Sequence, residues 1–267
     1  MTDPIRFDDG ASYERYMGVW SQLAGAAFLN WLALPAGLRW LDVGCGNGAF
    51  TELLAVHGAP AGVYGVDPSA AQLAYARTRA ALRDAELSEG DAMALPYPDD
   101  AFDVAVMPLV IFFVPDPAKG IAEMTRVVCP GGIVAAYAWD MHGGGFPYHM
   151  VQREMRDLGA VLPAPPSPEA SRSDMLETLW RGAGLIDVEL HEITVQRTFA
   201  SFDEFWTIVV GWAAVGRTIA TMAPEAVTQL EARLRECLSA DADGSITYAA
   251  RSNAVKGRVP PHDAFTG

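Results

Sequence analysis

The sequence predicts an α/β fold, an open and mostly parallel sheet with helices on both faces. Three observations carry that prediction. Short apolar segments recur, RWLDV at 39–43, GVYGV at 62–66, FDVAVM at 102–107 and GGIVAAYAW at 131–139, with helical patterns between them. A glycine-rich turn at 44–48, GCGNG, follows directly on the first segment. A carboxylate, Asp67, closes the second, about 20 residues beyond the glycines, where dinucleotide folds hold a ribose.

Each element follows in order. A helix from about Tyr13 to Leu34 precedes the first strand. A second helix opens at Pro68-Ser69 and runs through Leu73 and Ala76 towards Arg83. Gly90-Asp91-Ala92 ends a third strand and Phe102-Asp103 begins a fourth. The next helix starts at Pro117 and carries Ile121, Met124 and Val128 on one face. After the fifth strand come the loop DMHGGGFPYHM, a helix, and LPAPPSPEAS at 162–171, where four prolines exclude regular structure. Ser173 caps a helix ending near Gly182 and Gly184. DVELHEITVQRTF at 187–199 reads as a strand. The capping box Ser201-x-x-Glu204 opens an apolar helix, PEAVTQLEARLREC at 224–237 an amphipathic one, and SITYAARSNAVKG at 245–257 is a final strand. The count is seven strands in one domain, without an internal repeat.

Composition restricts function. Hydrophobic residues make up 51% of the 267 and charged residues 19%, and no apolar run approaches the roughly 18 residues that span a bilayer. The acidic start MTDPIRFDDG lacks the basic-then-apolar order of a secretory signal, so a cytoplasmic location is expected. Cys45, Cys129 and Cys237 have no C-x-x-C spacing and read as free thiols, with no zinc cluster or other metal site. The 19 Lys and Arg against 33 Asp and Glu give a net charge of −14. Such a field opposes binding to a nucleic-acid backbone and favours a small, neutral or cationic ligand.

The turn Gly44-Cys45-Gly46-Asn47-Gly48-Ala49 satisfies the G-x-G-x-x-G/A pattern of dinucleotide enzymes. Asp42 decides against a phosphate there. A carboxylate at the strand end would face a pyrophosphate with like charge in a weakly screened cleft. S-adenosylmethionine has no phosphate and carries a sulfonium and an α-ammonium, so the same acid attracts it. Downstream, EGDAMALPYPDDAFDVAV at 89–106 and EMTRVVCPGGIV at 123–134 extend the pattern.

On these motifs the chain resembles class I S-adenosylmethionine-dependent methyltransferases of the ubiquinone/menaquinone C-methyltransferase-like branch (methyltransferase type 11), whose pattern runs LDVGCGxG, VDxS, GDAxxLPFxDxxFD. The resemblance covers about residues 11–140. It implies a Rossmann-like methyltransferase fold with a seven-stranded, mostly parallel sheet and an inserted helical cover. The chain would then be one methyltransferase domain over 1–267, with a cover helix at 1–36, a cofactor core at 37–140 and substrate-cover insertions with the final strands at 141–267. It further implies S-adenosyl-L-methionine as cofactor, with Asp42, Gly44, Gly46 and Gly48 around its methionine part and Asp67 on the ribose. Pro68 and Ser69 would border the adenine, Asp91 would receive its amino group, Ala92 would offer a backbone N–H to the ring, and Leu109 would lie beside the methionine. The segment YERYMGVW at 13–20 resembles the family's leading helix and would bring Tyr13 and Tyr16 close to the cofactor. Val19 stands where relatives often carry a basic residue.

Other chemistries lack their motifs. The HGGG at 142–145 has no G-x-S-x-G nucleophile to serve, His191-Glu192 lacks the second histidine of H-E-x-x-H, and no Walker G-K-[ST] occurs. Met107-Pro108-Leu109-Val110 is not the D/N-P-P-Y/F signature of amino methyltransferases. Two alternatives stay open: an NAD(P)-dependent oxidoreductase or epimerase, opposed by Asp42 and by the lack of a Tyr-x-x-x-Lys pair, and a non-catalytic cofactor-binding member of the fold. The expected acceptor is a small apolar or aromatic molecule, lined by Tyr13, Trp20, Phe146 and Trp206. Core packing is the competing role for Trp206 and Trp212. Asp140, His142 and His149, in the loop after the fifth strand, are the candidates for a general base, needed only where the nucleophile carries a proton.

Overall fold

In a computed structural model of the chain, residues 14–211 and 213–261 are described. The strands are β1 (Arg39–Val43), β2 (Gly62–Asp67), β3 (Glu86–Glu89), β4 (Phe102–Pro108), β5 (Val128–Trp139), β6 (Ile186–Phe199) and β7 (Ile246–Arg258). They form one sheet in the order β3-β2-β1-β4-β5-β7-β6. The five strands from β3 to β5 run parallel, while β7 pairs antiparallel with both β5 and β6. This is the seven-stranded, mostly parallel sheet that the resemblance implied.

Burial explains the strand chemistry. Leu41, Val43, Val104, Val106 and Ala105, Ala135 are buried on both faces of the central strands, which is why β1, β4 and β5 read as continuous apolar runs. β6 lies at the sheet edge with an open outer face, so its sequence is polar at most positions. A π-helical turn at Glu14–Gly18 leads into α1 (Val19–Leu32), which buries Trp20, Ala24 and Phe28 against the sheet. The remaining helices are α2 (Ala49–His57), α3 (Ala70–Ala76), α4 (Pro117–Val127), α5 (His149–Asp157), α6 (Ser173–Gly182), α7 (Phe202–Gly211), α8 (Ala213–Ala220) and α9 (Pro224–Cys237). Ser69 caps α3 by accepting from the Gln72 N–H, and Asp116 caps α4 by accepting from that of Lys119. Trp180, wholly buried on α6, donates its indole N–H to the Val134 carbonyl of β5 at 2.9 Å and fastens the returning chain to the sheet.

Four local differences from the sequence reading appear, the first being that Ser173 is the opening residue of α6 and its side chain makes no cap, Arg172 standing at that position. The helix opened at Ser69 stops at Ala76 rather than near Arg83, and a single 3₁₀ turn at Ala80–Leu82 follows. The intervening Arg79 leaves the helix direction to bind Asn47, Glu14 and Glu52. The third strand ends at Glu89, which moves Gly90-Asp91-Ala92 into the turn beyond it. A separate helix, α8, also follows α7. Between α5 and α6 the chain crosses from 158 to 172 with only a 3₁₀ turn at Pro168–Ser171, as the prolines required. Among the described residues no helix is long and apolar enough to cross a membrane.

Candidate functional site

A cavity of about 750 Å³ opens along the carboxyl ends of β1, β2 and β4 and the turn after β3, where open α/β sheets place their ligands. The glycine turn builds its floor. Gly44, Gly46 and Gly48 all have positive φ, +77°, +50° and +79°, which other residues adopt only with strain. A side chain on Gly44 would meet the Val110 methyls, its Cβ lying 2.6 Å away. The Gly44 and Cys45 N–H groups both donate to the Val66 carbonyl, which turns the chain across the end of β2.

Two carboxylates stand beside this turn. Asp42 is wholly buried; its Oδ2 accepts from the Thr51 hydroxyl at 2.7 Å, while its Oδ1 has no hydrogen-bond partner although the residue borders the cavity. Burial pushes its carboxyl up to about 7, the Thr51 bond opposes that, and the Asp67 charge adds to it. Asp67 accepts from the Gly46 N–H at 2.9 Å through Oδ2 and from the Ser69 N–H at 2.8 Å through Oδ1. Its carboxyl is also raised by burial, against those two bonds. A carboxylate oxygen accepts more than one hydrogen bond, so both oxygens of Asp67 keep capacity for a ligand hydroxyl. Asp91 closes an Asx turn by accepting from the Met93 N–H at 2.8 Å. The Cys45 thiol is pushed up by burial and by the charges of Asp42 and Asp67, which makes it a poor nucleophile. Among the described residues no Lys, Arg or His lines the cavity.

The structure brings together Asp42, Gly44, Gly46, Asp67, Pro68, Ser69, Asp91, Ala92 and Leu109 in that one cavity. Gly48 stands just behind them, its Cα packed so closely that a Cβ would lie 2.6 Å from Leu82 and 3.0 Å from Ala76. Leu109 has a φ of +60° and donates its N–H to the Tyr137 carbonyl at 2.7 Å. A non-glycine residue in that region is a strained position of the kind found at ligand sites.

The described residues expected on the acceptor side and as base do not border this cavity. Asp140 is held by the Gly143 N–H and by Arg251, whose Nη2 lies 2.5 Å from Oδ2, so it is a structural anchor outside the cavity wall. His142 points its Nε2 to Glu169 at 3.0 Å. His149 begins α5, where burial and the nearby Arg156 and Arg153 push its titration down. Neither histidine borders the cavity. Trp20 is fully buried edge-on to Tyr248, and Phe146 packs edge-on against Tyr148. Trp206 stacks on Phe202. Tyr16 passes over Gly211 of α7 and lends its backbone carbonyl to the Tyr148 hydroxyl rather than facing the cavity. Of these aromatics Trp20, Phe146 and Tyr148 are buried, while Tyr16 and Trp206 are half-buried. Tyr13 and Trp212 lie outside the described residues.

The wall instead uses residues that sequence reasoning passed over: Val110, Phe113 and Pro115 after β4, Tyr137 on β5, Ser21 on α1, and the proline segment at 164–166. The first three could have been found, because they lie between the end of β4 and the Asp116 cap of α4, at the ligand edge of the sheet. The leading segment also contributes a latch. Glu14 pairs with Arg79 at 2.7 Å and accepts from the Asn47 amide at 3.1 Å, and Arg79 also binds Glu52 and the Asn47 carbonyl, tying the start of the described chain to the glycine turn.

Residues 41–136 match a family model described as a methyltransferase domain. The chain is 32% identical over 175 residues to the demethylmenaquinone methyltransferase of Geobacillus stearothermophilus, covering 59% of this chain and 75% of that one. It is 38% identical over 119 residues to the 2-phytyl-1,4-naphtoquinone methyltransferase of Thermosynechococcus vestitus, covering 44% and 51%. For several relatives the chain spans about half of their length or less, from 37% to 58%. Phosphoethanolamine N-methyltransferase 2 of Haemonchus contortus, solved with S-adenosyl-L-methionine, shares the fold at a TM-score of 0.57, with 20% identity, over 95% of this chain and 57% of that one. With the glycine turn, the two strand-end carboxylates and these matches in agreement, the chain belongs to the type 11 family of class I S-adenosylmethionine-dependent methyltransferases.

Proposed function

We propose that this chain transfers the methyl group of S-adenosyl-L-methionine to a small, apolar, hydroquinone-like acceptor. One observation carries the reading. Among the described residues, the cavity at the sheet's carboxyl edge holds three carboxylates, one with a buried oxygen that lacks a partner, and no cationic side chain. Such a site attracts a cation and repels a pyrophosphate, which disfavours the NAD(P) alternative.

The residues present fit the cofactor. Asp42, with the glycine turn and Leu109, would hold its methionine part, Asp67 its ribose hydroxyls, and Pro68, Ser69, Asp91 and Ala92 its adenine. When bound, the cofactor supplies a methyl group already activated on a sulfonium. The chain's part is then to position and to dry the site. Leu109, Val110, Phe113 and Pro115 exclude water at the end of β4. The described wall offers no imidazole or amine to accept a proton, which favours an acceptor whose reacting atom is activated by its own ring hydroxyls. The names of the quinone-methylating relatives agree with that chemistry.

The same proposal takes the chain as one methyltransferase domain in the cytoplasm, without a nucleic-acid partner. Its three free thiols and its charge of −14 support those points. Incubation with methyl-labelled S-adenosylmethionine and 1,4-dihydroxynaphthalene tests the activity. Label in the naphthalene product is the expected result. Cofactor binding without label transfer to any of a set of phenols and hydroquinones would favour the non-catalytic alternative.

A further inference from the structure

The cavity extends beyond the groups assigned to the cofactor. Along the sheet edge, the residues that would hold the adenine lie after β3, that for the ribose at β2 and those for the methionine part at β1 and β4, which leaves the side beyond β4, towards β5, for the acceptor. That end is lined by Phe113, Val114 and Pro115, by Tyr137, and by Ala164, Pro165 and Pro166. The last three belong to the crossing between α5 and α6, about 50 residues away in sequence from the loop they face.

Ser167 holds this strap in place. Its backbone N–H donates to the Phe112 carbonyl at 3.0 Å, and its hydroxyl donates to the Val114 carbonyl at 2.8 Å, with the Pro115 carbonyl at 3.4 Å. The chain just after it is fixed as well. The Asn253 amide donates to the Ser171 carbonyl at 2.9 Å, and Glu169 meets His142. On the other side of the strap Val161 is 74% exposed and Gly159 has a φ of +87°. The strap is thus clasped at its carboxyl end by Ser167, while at its amino end the chain leaves α5 through the Gly159 and Ala160 N–H bonds to Arg156 and Met155.

We propose that the strap Ala164–Pro166 is the wall that selects the acceptor, and that Ser167 is the residue that positions it. The inference rests on the methyltransferase reading above. Its chemistry follows from the residues. Prolines have no N–H and a fixed φ, so Pro165 and Pro166 form a stiff face that offers no backbone donor. Phe113 and Pro115, on the loop to which Ser167 is bonded, line the same part of the cavity. A wall of this kind accepts a flat apolar ring, and its prolines give no hydrogen-bond donor to a phosphate or carboxylate. The acceptor class it selects is therefore a neutral aromatic ring system, and the position of the wall depends on the Ser167 clasp.

Two titrations on the full chain test this. The first measures S-adenosylhomocysteine affinity, and the second measures 1,4-naphthoquinone binding to protein saturated with S-adenosylhomocysteine, by quenching of intrinsic fluorescence. For Ser167→Ala and Pro166→Gly the probe affinity should fall at least five-fold, S-adenosylhomocysteine affinity should stay within two-fold, and the melting temperature should hold. Ser167→Thr, which keeps the hydroxyl, should restore probe binding. In turnover with 1,4-dihydroxynaphthalene the same variants should raise KM more than they lower kcat. Unchanged probe affinity in both variants would overturn the proposal, as would a parallel weakening of both ligands, which would place the strap in the cofactor site. Wild-type protein that binds S-adenosylhomocysteine but not the probe would also sink the acceptor wall while leaving the cofactor reading intact. Wild-type protein that binds neither would sink both.

Discussion

At the cofactor end of the cavity, the deciding contacts join residues close in sequence. Thr51 reaches Asp42, Gly46 and Ser69 reach Asp67, and Met93 reaches Asp91. At the acceptor end Ser167 reaches Val114, and the cover behind it is tied across distant segments too, Asn253 to Ser171, Arg251 to Asp140 and Trp180 to Val134. The first end is set by turn chemistry that a short motif encodes. The second is assembled only when β5, β7 and the crossing between them have docked. The contrast teaches that the cover can vary its chemistry without disturbing the cofactor grip, because few of its contacts pass through the glycine turn.

The largest expected effect separates the two ends by stability. Trp180→Ala removes a fully buried indole and its bond to Val134, a change that costs about 3 to 5 kcal/mol of unfolding free energy. Chemical denaturation measures it. S-adenosylhomocysteine affinity of the remaining folded fraction should stay near that of wild type. A weaker affinity would show that the two ends are coupled.

A comparable effect comes from pH. Asp42 is held neutral in the ligand-free protein below about 7, whereas in the unfolded chain it ionises near the ordinary carboxyl value. Between those two points the folded state binds the extra proton, so stability falls as pH rises through that window. Above about 7 the decline is complete. The slope from this one group approaches ~1.4 kcal/mol per pH unit. Asp67 is shifted in the same direction and adds to the slope. Melting curves of wild type and Asp42→Asn between pH 5 and 8 should therefore diverge, the variant holding its stability better as pH rises. Parallel curves would remove the buried carboxylate from the account.

Asp67→Ala comes next. Removing each charge-assisted hydrogen bond to the ribose should weaken cofactor binding by about 1.5 to 3 kcal/mol, roughly 10- to 150-fold, in a protein that still folds. Titration with S-adenosylhomocysteine reads that change. The smallest effect belongs to the latch. Arg79→Ala releases Glu14 and Glu52 at a half-buried site, and about 1 kcal/mol of stability with a few-fold weaker cofactor binding is expected. Calorimetry resolves both.

How much of this was legible in the sequence follows the same division. The strands, the Ser69 and Asp116 caps and the cavity carboxylates could be read because each depends on a few adjacent residues. The aromatic lining could not. Trp20 meets Tyr248 across the fold, while Phe146 and Trp206 pack on the nearby Tyr148 and Phe202, and none of the three borders the cavity. Asp140 pairs with Arg251, 111 residues on, a contact that nothing local in the sequence shows. The proline segment read as loop because nothing local shows that Ser167 will find Val114. Residues 110–115 were readable from their place at the end of β4, and only Leu109 was drawn from that position.

The central claim is that the buried carboxylate beside the glycine turn selects a cationic cofactor. Isothermal titration of the ligand-free protein with S-adenosylmethionine and with NADH, at pH 6 and pH 8, tests it most directly. Binding of S-adenosylmethionine should tighten from pH 6 to pH 8 as Asp42 ionises, that dependence should shrink in Asp42→Asn, and NADH should bind at neither pH. Binding of NADH, or S-adenosylmethionine affinity that is equal at both pH values and unchanged in the variant, would contradict it.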